Sequence, residues 1–175
     1  AGFTFTLGDA AQNVTGSSSD DTVNIAALTV TGSLDGGSGT DTLQMNTGAS
    51  LSGATFSNFE TLSLTSGASV TMTEAQHDSF SSIVAAGTES ITISSATDGL
   101  TGASAVETYV LGAANTITLG TAAQNVTGSS GDDTVSVGSL TATGTLNAAD
   151  GTDTLSLSSG ADVSGATISN FENLT

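Results

Sequence analysis

Short runs in which apolar and polar residues alternate recur along the whole 175-residue chain. Thr22–Ile25 and Thr42–Met45 are typical, because every second residue is apolar, as in a strand with one buried face. Gly and Ser separate the runs. The pattern predicts strands at 4–7, Thr22–Ile25, 28–31, Thr42–Met45, Thr61–Leu64, 69–73, Ser90–Ile93, Thr108–Leu111, 116–119, 134–137 and Thr154–Leu157.

Regular short strands without long helices favour an all-β fold, a right-handed parallel β-solenoid of the β-helix or β-roll type. A β-sandwich would use longer strands and wider turns. One stretch differs: at 73–80, Thr73 and Gln76 have the spacing of a helix capping box. We therefore expect one short helical excursion there.

The chain also repeats itself over a long interval, so that 118–175 restates 6–63 without a gap. This long repeat divides the chain into a first copy, 1–112, and a partial second copy, 113–175. Repetition of this kind is typical of stacked arrays, in which each unit buries its faces against its neighbours. We expect a continuous solenoid that is a piece of a longer array.

A nine-residue motif recurs within the repeat. Residues 36–44 fit the pattern G-G-x-G-x-D-x-U-x, where U is a large apolar residue, at every fixed position. Residues 128–136 depart from the pattern once, and 16–24 and 148–156 depart twice. Glycines in this motif permit φ > 0 turns, and the aspartate adds a hard anionic oxygen of the kind that Ca²⁺ prefers.

The motif aspartates form two pairs with one spacing, since the interval from Asp21 to Asp41 equals that from Asp133 to Asp153. About 20 residues make one coil, so each pair should stack on one edge, with rungs about 4.8 Å apart. Two bare carboxylates at that distance repel by roughly 3–4 kcal/mol at an effective dielectric near 20. A calcium ion between the rungs would turn this repulsion into attraction.

The motif resembles the calcium-binding repeat of RTX-type β-rolls, and the chain is similar to repetitive bacterial surface-layer proteins and large surface adhesins that use it. The resemblance implies Ca²⁺ sites and an extracellular location at the bacterial cell surface. In the alternative interpretation, the aspartates only cap turns through nearby backbone amides. The candidate ligands are the carboxylates of Asp21, Asp41, Asp133 and Asp153, then those of Asp20, Asp132, Asp35 and Asp150, and the carbonyls of Gly16, Gly36, Gly39, Gly128 and Gly131.

The two copies differ inside the motif. Gly36 and Gly37 of the first copy become Ala148 and Ala149 in the second. Alanine resists φ > 0, so the second site should have an altered turn.

Composition narrows the function further. The chain has 17 Asp and Glu residues and no Lys or Arg, a net charge of −17. This excludes a nucleic-acid footprint and argues against binding to anionic membranes. No apolar run approaches the roughly 18 residues that a membrane span needs, so no membrane insertion is expected. Cys is absent, so no disulfide can cross-link the fold, and bound calcium would have to stabilise it instead.

Catalysis is not expected. The single histidine, His77, precedes Asp78, but no nucleophile motif accompanies them, and a solvated helix histidine is the simpler interpretation. Aromatic platforms for sugars are nearly absent, since the chain has no Trp and one Tyr.

The sequence therefore predicts a structural extracellular protein, a calcium-stapled repeat of a surface layer, filament or adhesin stalk. Its expected partners are copies of itself, with the cell-surface polysaccharide as a second candidate. One alternative is the calcium-binding β-roll tail of a type I-secreted hydrolase or toxin. Another is an ice-binding β-solenoid, although the Thr-x-Thr segments are irregularly spaced.

Overall fold

The computed structural model describes residues 1–97 and 99–175. In these residues short strands alternate with turns, and there is one short helix. The helix, α1, is Glu74–Asp78. The strands are β1 (Thr4–Thr6), β2 (Val14–Thr15), β3 (Thr22–Ile25), β4 (Ser33–Asp35), β5 (Thr42–Met45), β6 (Thr55–Ser57), β7 (Thr61–Leu64), β8 (Ser69–Met72), β9 (Ser82–Val84), β10 (Ser90–Ile93), β11 (Leu100–Thr101), β12 (Thr108–Leu111), β13 (Thr116–Thr118), β14 (Asn125–Thr127), β15 (Thr134–Gly138), β16 (Thr145–Asn147), β17 (Thr154–Leu157), β18 (Thr167–Ser169) and β19 (Asn173–Leu174).

The first compact unit, Ala1–Glu89, is a parallel β-solenoid. One of its sheets has the strand order β1-β3-β5-β7-β9 and another has the order β2-β4-β6. Successive coils pair in parallel, and Thr22 of β3 lies opposite Thr42 of β5. This confirms the predicted fold class and its coils of about 20 residues.

The second unit, Ser90–Thr175, has the same architecture. In one sheet β10, β12, β14, β16 and β18 pair in that order, and in another β11, β13, β15, β17 and β19 do so. The strands that follow the second-copy motifs, β15 and β17, pair as β3 and β5 do, with Thr134 opposite Thr154. The compact units divide the chain at a different point from the 112-residue sequence repeat.

Alternation along the motif strands of the first unit places two apolar columns in its core, and the second of these is Ile25, Met45 and Leu64. Val23, Leu43 and Leu62 lie opposite one another in β3, β5 and β7 and are almost completely buried. The residues between them face outward as a polar surface. Thr22–Ile25, Thr42–Met45, Thr61–Leu64, Ser90–Ile93, Thr108–Leu111 and Thr154–Leu157 have the predicted bounds.

Other strand predictions need correction. The segment 28–31 is not a strand, because only Thr29 forms an isolated bridge, to Ser50. The sequence pattern missed the two- and three-residue strands at Val14–Thr15, Ser33–Asp35, Thr55–Ser57, Ser82–Val84, Leu100–Thr101, Asn125–Thr127, Thr145–Asn147, Thr167–Ser169 and Asn173–Leu174. Each of these has at most one or two apolar residues and shows too little alternation to detect.

The predicted capping box is confirmed at α1. The main-chain N–H of Gln76 donates to Thr73 Oγ1 at 3.2 Å, and Gln76 Oε1 accepts from the main-chain N–H of Thr73 at 2.9 Å. Gln76 Nε2 also donates to the carbonyls of Leu51 and Ala54, at 2.7 and 3.0 Å. One glutamine thus both starts the helix and fastens it to the turn that precedes β6.

The prediction of a solvated His77 is wrong, because its side chain is only 5% exposed. Its Nδ1 lies 2.8 Å from Oδ1 of Asp78. Among the described residues, no helix is long and apolar enough to cross a membrane.

Candidate functional site

The four motif aspartates are buried at the starts of strands. Asp21 and Asp41 immediately precede β3 and β5, and Asp133 and Asp153 precede β15 and β17. None of the four is more than 1% exposed. Because the strands pair in parallel, the members of each pair lie one coil apart on the same edge, as their equal spacing predicted.

In the first unit, main-chain hydrogen bonds connect these carboxylates from coil to coil. Asp21 Oδ1 accepts from the N–H of Phe3 at 2.8 Å, and Asp41 Oδ1 accepts from the N–H of Asp21 at 2.7 Å. Glu60 Oε2 then accepts from the N–H of Asp41 at 2.8 Å. We call Asp21, Asp41 and Glu60 the first carboxylate ladder, in which each carboxylate caps the main chain of the preceding coil.

The second carboxylate ladder, Asp133, Asp153 and Glu172, repeats these bonds. Asp133 Oδ1 accepts from the N–H of Asn115 at 2.7 Å, and Asp153 Oδ1 accepts from the N–H of Asp133 at 2.7 Å. Glu172 Oε2 accepts from the N–H of Asp153 at 2.8 Å. The sequence repeat therefore preserves this hydrogen-bonded edge, with almost the same three distances in the two copies.

Motif matching missed the two glutamates because they lie outside the nonapeptides. A signal was present, since Glu60 follows Asp41 by 19 residues and Glu172 follows Asp153 by 19. Both end the tetrapeptide Ser-Asn-Phe-Glu, which occurs in each copy. A carboxylate one coil after the motif was thus visible as a continuation of the same spacing.

The motif turns also contain the bonds of the turn-capping alternative. Asp21 Oδ2 accepts from the main-chain N–H of Ser17 at 2.6 Å. Asp133 Oδ2 accepts from the N–H of Ser129 at 2.6 Å and from its hydroxyl at 3.0 Å. Both oxygens of these two aspartates are therefore engaged by the protein's own donors.

Asp41 and Asp153 are different. The Oδ2 atom of each is buried and has no hydrogen-bond partner. An unpaired buried carboxylate oxygen is unfavourable, so each ladder holds one atom that a cation or a proton would stabilise. Gly36 packs closely here, because a Cβ built on it would lie 2.8 Å from Asp41 Oδ2.

The second-choice aspartates serve other turns. Asp20 Oδ1 accepts from the N–H of Thr40, and Asp132 Oδ1 accepts from the N–H of Thr152, each at 2.9 Å. Asp150 is exposed, and its main-chain N–H donates to the Ser129 carbonyl at 3.4 Å. These three carboxylates do not join the buried ladders.

The hydrogen bonds of Asp35 do not depend on its negative charge. Its Oδ1 accepts from the N–H of Gly37 at 3.1 Å and from Asn58 Nδ2 at 2.7 Å. Asn147, its counterpart, makes the same two bonds, from Ala149 at 3.1 Å and from Asn170 at 2.8 Å. The turn at this position therefore needs an oxygen acceptor and not a negative charge.

The candidate glycines are required for two different reasons. Of Gly16, Gly36, Gly39, Gly128 and Gly131, only Gly39 has a positive φ, of 140°. Gly16 and Gly128 instead allow close packing, because a Cβ on either would overlap a carbonyl oxygen of the next coil. The expectation that glycines mainly provide φ > 0 thus holds for Gly39 among these five.

The turn is retained in the second copy, contrary to the expectation of an altered one, because Ala149 keeps a positive φ of 73° where Gly37 has 93°. The Ser38 N–H donates to the Ser17 carbonyl at 3.0 Å, and the equivalent bond from Asp150 to Ser129 is 3.4 Å. A Cβ on Gly37 would overlap the Ser17 carbonyl, so the longer bond accommodates the extra methyl group. Alanine keeps the turn, but in a conformation that glycine adopts more easily.

The carboxylates do not share one electrostatic environment. Burial raises the pKa of Asp41, and the charges of Asp21, Glu60 and Asp20 raise it further against the opposing bond from the Asp21 N–H. Burial also acts upward on the pKa of Asp21, but hydrogen bonds from Ser17 and Phe3 outweigh it and hold that pKa below its ordinary value. Proton binding is therefore favoured at the middle of the first ladder.

Within the described ranges 1–97 and 99–175, no group of three or more His, Cys, Asp and Glu side chains is arranged to hold a metal ion. Ca²⁺ takes six to eight oxygen ligands. If Ca²⁺ bound here, Asp41 Oδ2 and Asp153 Oδ2 would each supply one anionic oxygen, and carbonyl and water oxygens would have to complete each shell.

Comparison of the chain with protein-family models, with curated proteins and with solved structures found no match. The assignment of a parallel β-solenoid therefore rests on the strand pairing of the chain itself.

Proposed function

We propose that this chain is a structural repeat module of an extracellular bacterial surface layer, filament or adhesin stalk, in which Ca²⁺ neutralises the buried acidic edge. The observation that carries the proposal is the recurrence of one hydrogen-bonded carboxylate ladder in both copies of the long repeat. Its role is mechanical, and we propose no catalysis.

Charge balance supports a cation. The chain has no Lys or Arg to pair with its carboxylates. Asp41 and Asp153 are buried, and each has an unpartnered Oδ2. Buried charges are normally paired with an opposite charge or with a metal, so a divalent cation at these oxygens would remove the largest electrostatic cost of stacking the coils.

Calcium would also couple folding to location. A chain that repels itself is only partly folded where calcium is scarce, and binding of the ion to its ligands completes folding. An extracellular module needs only weak sites, with dissociation constants on the order of 10⁻⁴ to 10⁻³ M. Few anionic ligands per ion, as here, suit that range.

Further coils of the same kind are the proposed partner. The long repeat restates the same strands and the same acidic edge, and the units of a repeat array bury their faces against neighbouring units. Copies of this chain would therefore stack by continuing the parallel pairing of strands.

Neither alternative from the sequence is favoured. In the second unit a threonine column, Thr116, Thr134 and Thr154, stands beside Thr118, Ser136 and Ser156. The first unit has the outward column Thr22, Thr42 and Thr61, but its neighbouring column consists of Asn24, Gln44 and Ser63. Neither surface has the paired threonine columns that the ice-binding alternative requires. The hydrolase-tail alternative predicts tandem nonapeptides, whereas the motifs of this chain are spread over the two copies of a much longer repeat.

Circular dichroism and sedimentation velocity during a calcium titration of chelated protein test the proposal, with magnesium as the control. We expect β signal and assembly to rise with Ca²⁺ and not with Mg²⁺. Folding without assembly would remove the array from the proposal. Full β structure in excess chelator, unchanged by Ca²⁺, would overturn the calcium part and leave the aspartates as turn caps.

A further inference from the structure

A second polar feature lies in the Ser90–Thr175 unit. It is a cavity of about 260 Å³, open to solvent and next to the second carboxylate ladder through the bond from Asn115 to Asp133, and we call it the Asn115 pocket. Its lining residues are Ala96, Thr97, Gly99, Ala114, Asn115, Thr116 and Asp132. The first copy has Phe3 in place of Asn115, so the pocket is not a repeated part of the scaffold.

The orientation of the Asn115 side chain is fixed. Its Oδ1 accepts from the main-chain N–H of Thr116 at 2.6 Å, and its own main-chain N–H donates to Asp133 Oδ1 at 2.7 Å. The residue is 7% exposed, and its Nδ2 is buried without a hydrogen-bond partner. A buried amide that lacks an acceptor is unfavourable, and a ligand oxygen at the floor of the pocket would supply one.

The Asp132 carboxylate gives the described lining of the pocket a negatively charged group. Its Oδ1 caps the N–H of Thr152 at 2.9 Å, which leaves Oδ2 as an acceptor for a ligand donor. The pocket thus combines a fixed N–H donor with an anionic acceptor, and small residues such as Ala96, Gly99 and Ala114 leave room between them.

This chemistry selects the ligand class. An anion would be repelled by Asp132 and by a chain of net charge −17. A metal cation would be repelled by the amide N–H, and an apolar ligand would leave both polar groups unpaired. A hydroxyl group both accepts and donates, and a pocket slightly smaller than those that hold drug-sized molecules suits one small ring.

We propose that the Asn115 pocket binds one residue of a neutral saccharide, with Asn115 Nδ2 donating to a ring or hydroxyl oxygen and Asp132 accepting from a hydroxyl. The inference extends the proposed surface role by giving the module a sugar-binding site. Sugar binding requires neither array assembly nor calcium. The sugar-binding proposal and the proposed structural role can therefore fail independently.

An NMR titration tests the pocket, because the side-chain NH₂ of Asn115 gives its own pair of ¹H–¹⁵N signals. The probes are glucose, galactose, mannose and N-acetylglucosamine, each added to the full chain with and without Ca²⁺. We expect one of them to shift the Asn115 side-chain signals saturably, with a dissociation constant on the order of 1 mM. Unmoved side-chain signals at about one hundred times that concentration for all four sugars would overturn the proposal.

Variants distinguish specific sugar binding in the pocket from general contact of the sugar with the protein surface. Asn115→Asp keeps the shape and the Oδ1 acceptor but removes the donor, and Asp132→Asn keeps the cap on Thr152 but replaces the anionic acceptor. We expect each to weaken binding about tenfold or more. Asp162→Asn, an exposed turn cap outside the pocket, is the matched control and should bind normally. Equal binding by all three would contradict the proposal, even with the wild-type signals shifted.

The source of the sugar is distinguished by comparing the monosaccharide that binds with its linear trimer. Trimer binding as strong as that of the monomer would identify a residue within a polysaccharide. Binding of the monomer alone would identify a free sugar, and both results would support the site.

Discussion

The main-chain N–H of Asp133 donates to Oδ1 of Asp153 at 2.7 Å, and the same bond at the same distance joins Asp21 to Asp41. The acceptor in each case is a fully buried carboxylate one coil further along. A stacked pair of aspartates that would be expected to repel is thus connected through the backbone, with one carboxylate oxygen left over.

This relationship predicts unequal effects of two substitutions at Asp153. Asp153→Ala leaves the buried N–H of Asp133 without an acceptor and should lower the free energy of unfolding by about 1–3 kcal/mol. Asp153→Asn retains Oδ1 and should cost clearly less. Urea unfolding followed by circular dichroism measures both, and Asp162→Ala at an exposed turn is the control. Similar losses for all three variants would mean that the ladder bond does not stabilise the fold.

Acidification should stabilise the metal-free protein before it destabilises it. The folded-state pKa of Asp41 is raised above the ordinary 3.8, so its stabilising contribution is lost as the pH rises through that pKa and is complete below 3.8. The pKa values of Asp21 and Asp35 are lowered, so their contributions are present above 3.8 and disappear as the pH falls through their folded-state values. Stability in chelator should therefore rise from neutral pH toward 3.8 and fall below it.

The measurement for this prediction is the urea midpoint in excess chelator at several pH values from about pH 7 downward. Because a charge of −17 also diminishes on acidification, wild type is compared with Asp41→Asn, which cannot take up the proton. The rise should be smaller in the variant. Parallel curves would show that Asp41 does not contribute to it.

The two copies offer a matched test of backbone strain. Ala149 has φ of 73° where the first copy has glycine, so Ala149→Gly should raise the free energy of unfolding by about 1 kcal/mol. Gly37→Ala should lower it by at least as much, because the new Cβ would overlap the Ser17 carbonyl. Thermal or urea unfolding of both variants decides the matter. Destabilisation by Ala149→Gly would show that alanine is not strained there.

Substitutions in the capping box of α1 should lower the free energy of unfolding by different amounts. Thr73→Ala removes one N-terminal cap and should cost about 1 kcal/mol. Gln76→Ala should cost more, because it removes the other half of the box and the two bonds to Leu51 and Ala54. Unfolding midpoints compare the two variants. A larger effect for Thr73→Ala would imply that Gln76 does not fasten the helix.

The fold could be predicted from the sequence where its signal was strongest. The four-residue strands Thr22–Ile25 and Thr42–Met45 have two apolar residues in strict alternation, and the offset between them gave the coil length. Strands such as Val14–Thr15 contain one buried side chain, and only pairing with the next coil identifies them. His77 was placed wrongly because a five-residue helix has no periodicity to reveal its buried face.

At the candidate site, the sequence predicted that the aspartates stack, but not that their carboxylates accept hydrogen bonds from the main chain of the preceding coil. Hydrogen bonds to the main chain of the preceding coil depend on strand register, which no motif encodes. The same limit hid the unpartnered Oδ2 of Asp41, whereas Glu60 was missed because it lies outside the nonapeptide. Asp35 was a candidate ligand because of its charge, and only the identical bonds of Asn147 show that the charge is dispensable in the turn.

Calorimetric titration of chelated protein with CaCl₂ tests most directly our proposal that Asp41 and Asp153, each with one unpartnered carboxylate oxygen, bind calcium. We predict saturable Ca²⁺ binding that Mg²⁺ does not reproduce and that the double variant Asp41→Asn, Asp153→Asn loses while remaining folded. Absence of Ca²⁺ binding by the folded wild-type protein, or binding unchanged in the double variant, would contradict it.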